Sequence, residues 1–103
     1  MTIVTVRQTD EFADWLRRLR DNKAKARIAS RIRRLEQGNP GDSKSLGGAL
    51  QEMRVDYGPG YRIYFVHRGD MVVILLCGGD KQTQRRDIAR ARELARELAR
   101  ELE

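Results

Sequence analysis

Gly58-Pro-Gly-Tyr-Arg-Ile-Tyr-Phe-Val-His-Arg-Gly-Asp-Met-Val-Val-Ile-Leu-Leu-Cys-Gly-Gly-Asp-Lys-Gln-Thr-Gln84 decides how this chain folds. Tyr61, Ile63 and Phe65 fall on one side of an extended segment and Arg62, Tyr64 and Val66 on the other, which is the period of a β-strand. Arg68-Gly-Asp70 turns the chain. Met71 to Leu76 is apolar throughout, as in a strand covered on both faces. Gly78-Gly79 is expected to break that strand, and a helix is expected to start near Asp80 or Thr83. The stretch therefore reads as a β-hairpin, a glycine turn and a basic helix start. Its Arg62/Tyr64 face, beside further cations, is suited to the phosphates of single-stranded RNA.

Working upstream, Tyr57-Gly-Pro-Gly60 is a turn. From Leu50 the period is two, with Met53 and Val55 on one side and Glu52, Arg54 and Asp56 on the other. Residues 38–48 are rich in Gly and Ser and are expected to form a loop. Phe12, Trp15, Leu16 and Leu19 mark one face of a helix that Thr9 or Asp10 can cap. Ala24, Ile28, Ile32 and Leu35 mark a second helix, ended by Gly38-Asn-Pro-Gly41. The remaining faces of that helix carry Lys23, Lys25, Arg27, Arg31, Arg33 and Arg34. Ile3-Val4-Thr5-Val6 is β-branched and reads as a first strand.

Downstream, Arg92-Glu-Leu-Ala-Arg-Glu-Leu-Ala-Arg-Glu-Leu102 repeats with a period of four and extends the last helix. Residues 92–103 are expected to be its exposed end, or else an interaction helix. The order is β-α-α-β-β-β-α in one domain spanning 1–103. The fold class is α+β, a small antiparallel-rich sheet with two helices packed on one face and a C-terminal helix. Trp15, Leu19, Ile28, Ile32, Ile63 and Phe65 are the expected core.

The 103 residues suit a single domain, and 21 Lys and Arg against 15 Asp and Glu give a net charge of +6. That excess points to a polyanionic partner: nucleic acid, a ribosome or an acidic protein. The alternative is a solvated, arginine-rich surface. The single cysteine, Cys77, excludes an internal disulfide and a cysteine metal cluster, and it reads as a small buried hydrophobe. His67 is the only histidine, and neither a metal nor a cofactor is expected. With no signal peptide and no apolar run of membrane-spanning length, a cytoplasmic location without membrane contact is expected.

Five blocks then stand in order: Lys44-Ser-Leu-Gly, Leu50-Gln-Glu-Met-Arg54, Gly58-Pro-Gly-Tyr-Arg-Ile-Tyr64, Leu75-Leu-Cys-Gly-Gly-Asp-Lys81 and Gln84-Arg-Arg-Asp-Ile88. Together they resemble the RelE/ParE superfamily of bacterial toxins, in its HigB-like, addiction-module-killer branch. The resemblance covers nearly the whole chain outside the Arg-Glu-Leu-Ala tail. It implies the toxin of a type II toxin–antitoxin system, most often a metal-independent endoribonuclease that cuts mRNA on the ribosome and so inhibits translation. A minority of the superfamily resemble ParE and act on DNA gyrase without chemistry of their own. A third reading is a toxin-like fold that serves only as a binding or regulatory protein. The implied partners are a cognate antitoxin of helix-turn-helix type, the ribosome and mRNA, with a homodimer or a toxin–antitoxin hetero-oligomer as the assembly.

RNA cleavage through the ribose 2′-hydroxyl needs proton removal, stabilisation of a crowded phosphorane and protonation of the leaving oxygen. Arg62 matches the arginine that RelE-type nucleases place in the site, and its planar fork suits phosphate oxygens. A structural ion pair with Glu52 is the alternative for Arg62. Arg54 stands where RelE has a lysine. Glu52 and Tyr64 complete the candidate catalytic set, with Tyr64 equally able to stack on a base. Lys44, Lys81, Arg85 and Arg86 are candidate phosphate contacts. RelE-type enzymes also use a tyrosine or histidine near the start of the last helix. Gln84-Arg85-Arg86-Asp87 has neither, which leaves His67 and Asp87 as further acid/base candidates.

Overall fold

The computed structural model describes residues 3–101, in the order β1 (Thr5–Gln8), α1 (Asp10–Arg18), α2 (Asn22–Glu36), β2 (Ser43–Gly47), β3 (Leu50–Val55), β4 (Tyr61–Arg68), β5 (Val72–Asp80) and α3 (Gln84–Glu101). Leu102 and Glu103, the end of the repeat, lie outside the described residues. The strands form one sheet in the order β1-β5-β4-β3-β2. β1 runs parallel to β5, and the other neighbours are antiparallel.

Alternation along the strands divides the core into two layers. Met53, Ile63, Phe65, Val73 and Leu75 face Phe12, Ala24, Ile28 and Leu35, so α1 and α2 cover one side of the sheet. Leu50, Tyr64, Val66, Leu76 and Cys77 face Ala91 and Leu94, so α3 covers the other. The α+β class holds, with two helices on one face. Of the expected core, Ile28, Ile63 and Phe65 are fully buried, while Trp15, Leu19 and Ile32 are half-buried and pack on the rim. Both helix starts on that side are capped. Thr9 Oγ1 accepts from the Phe12 amide at 3.0 Å, and the Asp21 carboxylate accepts from the Lys23 and Ala24 amides.

Three local expectations are corrected. Residues 38–48 are not only a loop, because β2 forms there as the outer strand against β3. Its residues, Ser43-Lys-Ser-Leu-Gly47, include no β-branched or aromatic side chain, and its extended form comes from that pairing. Gly78-Gly79 does not end β5, which continues to Asp80. A Cβ on Gly78 would collide with the Trp15 ring, and one on Gly79 with the Asp87 carboxylate. The two glycines thus let α1 and α3 approach the strand from opposite sides. A bulge between Tyr64 and Phe65 in the β4–β5 ladder turns Leu76 and Cys77 toward the same layer.

The described part of 92–103 is seated on one face, where an exposed end was expected. Leu94 is buried, and Ala95 and Leu98 are half-buried against the sheet. Two guanidiniums pin it: Arg92 donates to the Leu46 carbonyl at 2.6 Å, and Arg68 donates to the Leu98 carbonyl at 3.0 Å. Arg92, Glu93, Arg96 and Glu97 remain exposed.

Candidate functional site

Two rows of side chains cross the α3 face of the sheet. Lys44, Glu52, Tyr64 and Cys77 are consecutive register partners on β2, β3, β4 and β5. One step along, Arg54 stands opposite Arg62, and Arg62 opposite Gly79. The first turn of α3 lies over the Glu52–Tyr64 row but stops short of the arginine row. The arginines therefore open onto a depression of about 450 Å³, which Asp42, Asp56, Gly58, Gly60 and Lys81 also line.

The rim is held from several directions. Gly58 and Gly60 adopt φ of 57° and 80°, the left-handed turn conformation that admits glycine without strain. The Tyr57 hydroxyl donates to Asp21 Oδ2 at 3.0 Å, and the Arg27 guanidinium lies 4.7 Å from the centre of the Tyr57 ring. On the opposite rim the Asp80 carboxylate accepts from the Gln82 and Thr83 amides, a turn that presents Lys81. Below, Arg31 donates to the carbonyls of Arg54, Pro40 and Asp42. One side chain of α2 thus fixes both the loop before β2 and the strand that carries Arg54.

Arg62 has 13 % of its side chain exposed and places NH1 3.9 Å from Glu52 Oε1. Glu52 is wholly buried. Its Oε2 accepts from Gln84 Nε2 at 2.7 Å, while Oε1 has no hydrogen-bond partner and lies 4.0 Å from Lys44 Nζ. Both readings of Arg62 thus have a structural counterpart: it borders the depression and it approaches Glu52. Arg54 is more open and is gripped by Asp42, with NH2 2.8 Å and Nε 3.2 Å from Oδ1.

The other sequence candidates separate. Lys44 and Lys81 are exposed, as are Arg85 and Arg86 on the first turn of α3. Tyr64 is wholly buried with its hydroxyl unpartnered, so it does not present its ring to a base. Burial, then the nearby charge of Glu52, pushes its phenol well above the ordinary value. Asp87 is buried as well, and its carboxylate accepts from the Thr83 hydroxyl at the helix start. It does not line the depression. His67 is exposed near the far end of β4, five residues and about 17 Å of strand from Arg62. Burial raises the Cys77 thiol to about 12.

Gln84, Arg31 and Asp42 were not among the sequence candidates. Gln84 stands within a block that carries the resemblance, but its reach to Glu52 depends on where α3 crosses the sheet. Arg31 and Asp42 are indistinguishable in sequence from solvated charges.

A small, basic α+β protein with an arginine-lined depression at the start of its last helix is the class that these elements define. A family model described as "Phage derived protein Gp49-like" matches residues 14–100. A Haemophilus influenzae protein that carries only the description "Uncharacterized protein" is 47% identical over 92 residues, 89% of this chain and 93% of that protein. The chain belongs to the Gp49-like phage-derived family, a family of toxin–antitoxin toxins related to the RelE-like fold.

Proposed function

We propose that this chain is the toxin of a type II toxin–antitoxin module, close to the HigB-like branch, and that it cleaves mRNA on the ribosome. The observation that carries this reading is the opposed pair Arg54 and Arg62 at a depression that Lys81 also lines. Three cations around one concavity suit a phosphodiester and the charge that grows on it in the transition state.

The reaction is attack of the ribose 2′-oxygen on phosphorus with loss of the 5′-oxygen, leaving a 2′,3′-cyclic phosphate and a 5′-hydroxyl. Asp42 is held by Arg54, which leaves Asp56 as the lining carboxylate to take the 2′-hydroxyl proton. Lys81 supplies a proton to the departing oxygen. Glu52 is too deeply buried to touch RNA and supplies a negative charge 3.9 Å from the Arg62 guanidinium. A cognate antitoxin of helix-turn-helix type would neutralise the protein.

The lining includes no phenol or imidazole, and this favours a second reading: a toxin that works by binding DNA gyrase or another protein. Induced expression with genome-wide mapping of mRNA 5′ ends separates the two. Cuts within codons of translated messages support cleavage. Growth arrest without such cuts, together with inhibited gyrase supercoiling, supports the binding toxin.

A further inference from the structure

The Arg-Glu-Leu-Ala repeat is not used by the reaction above, yet it sorts its charges. On an α-helix Arg85, Arg92 and Arg96 fall within about 40° of one another, along roughly 17 Å of axis. Glu93 and Glu97 fall on a separate stripe, where Arg90 NH1 lies 3.0 Å and 3.9 Å from them. Arg90 NH2 also lies 2.8 Å from Glu11. Arg90 thus offsets part of the acidic stripe, while Arg85, Arg92 and Arg96 are exposed on the other.

That outward stripe joins the candidate site. Arg92 is anchored on β2 through the Leu46 carbonyl. Lys44, on the same strand, approaches the carboxylate oxygen that Arg62 also approaches. Beyond Leu46, Arg92 and Arg96 border a shallow groove of about 200 Å³ whose floor includes Leu50, Val66 and Ala95. Cations along one side suit a sugar–phosphate backbone, and with no aromatic ring in the groove the contact is to phosphates and not by base stacking.

We infer that the Arg85–Arg92–Arg96 stripe, continued by Lys44, is a track for the backbone of single-stranded RNA leading away from the Arg62 depression. It rests on the RNA reading of that depression and extends the contact with substrate along α3. An acidic protein segment is the other polyanion such a stripe could hold.

The test is the salt dependence of binding of a fluorescent single-stranded RNA dodecamer by the full-length protein. Arg96→Gln should weaken binding about three- to tenfold and lower the slope of log K against log salt by about 0.7, one phosphate contact. Arg96→Lys should keep the slope, which separates loss of the charge from a change in the fold. Arg62→Ala should lose cleavage and lower the slope by about 0.7 for its own phosphate contact, and Arg96→Gln in that background should lower it by about 0.7 more. If Arg96→Gln binds RNA with unchanged affinity and slope, the track is overturned. It is equally overturned if Arg96→Gln weakens only the antitoxin complex. If wild type binds RNA through Arg96 but cuts no message, the cleavage reading fails and the track stands.

Discussion

Arg62 and Glu52 lie 3.9 Å apart, yet Arg62 Nε and Glu52 Oε1 are both buried without hydrogen-bond partners. Neither side chain satisfies the other in this state, so the guanidinium keeps donor capacity for an incoming anion.

The stability and the activity of Arg62 are therefore separable. Arg62→Ala leaves a buried carboxylate with Gln84 as its hydrogen-bond donor, and should cost about 1–3 kcal/mol. Adding Glu52→Gln removes the charge and should restore most of that loss in thermal unfolding. Growth arrest should be absent in the single and the double variant, and Arg62→Lys should recover little of it. A double variant that arrests growth would assign Arg62 a purely structural part.

Arg31→Met keeps the aliphatic stem and strips the bonds to the Arg54, Pro40 and Asp42 carbonyls. Bonds from a charged donor make this expensive, about 2–3 kcal/mol in urea unfolding. A change under about 0.5 kcal/mol, the usual effect of a surface substitution, would show that the loop before β2 holds itself.

Gly78 and Trp15 should behave as one unit. Gly78→Ala drives a methyl into the indole and should cost about 1–3 kcal/mol. In a Trp15→Ala background the same change should cost much less, because the obstructing ring is gone. Additive effects in this double-mutant cycle would contradict the contact.

Alkali should weaken the fold. Unfolded, the Cys77 thiol ionises near its ordinary value, about 8.5. Folded, burial holds it at about 12. Between those values the unfolded chain has released a proton that the native protein keeps, so stability falls as pH rises, approaching about 1.4 kcal/mol per unit. The contribution is present in full below the lower value and is lost through the upper one. The Tyr64 phenol, also raised, adds a second loss that begins near 10. Urea midpoints should decline from pH 8 to 10.5, and Cys77→Ala should delay the onset.

The parts of the fold that were legible in sequence are those set by local pattern. The alternation of Tyr61 to Val66 assigned each side chain to its layer, and the helix faces of Phe12 and Ile28 followed from spacing alone. Ser43–Gly47 was hidden because nothing in its composition favours a strand until β3 is beside it. Gly78-Gly79 looked like a stop because two close approaches, one on each face, are tertiary facts. The candidate site shows the same division. Arg54, Arg62 and Lys81, named from residue type, strand position and the family resemblance, line one depression. The burial of Tyr64 and Asp87 was not legible, since it depends on where α3 begins its crossing.

The pairing of β1 with β5 has a bearing on how the protein is made. Thr9, at the start of α1, bonds the Leu76 carbonyl across 67 positions of sequence. The first strand therefore waits for almost the whole chain before it acquires its neighbour, and such long-range parallel pairing is intrinsically slow. Lys81, which completes the lining of the depression, emerges later still. A nascent or truncated chain that stops before β5 has α1 and α2 but lacks α3, the strand that joins β1 to β4, and Lys81 at the depression. The candidate site is thus assembled only near the end of synthesis.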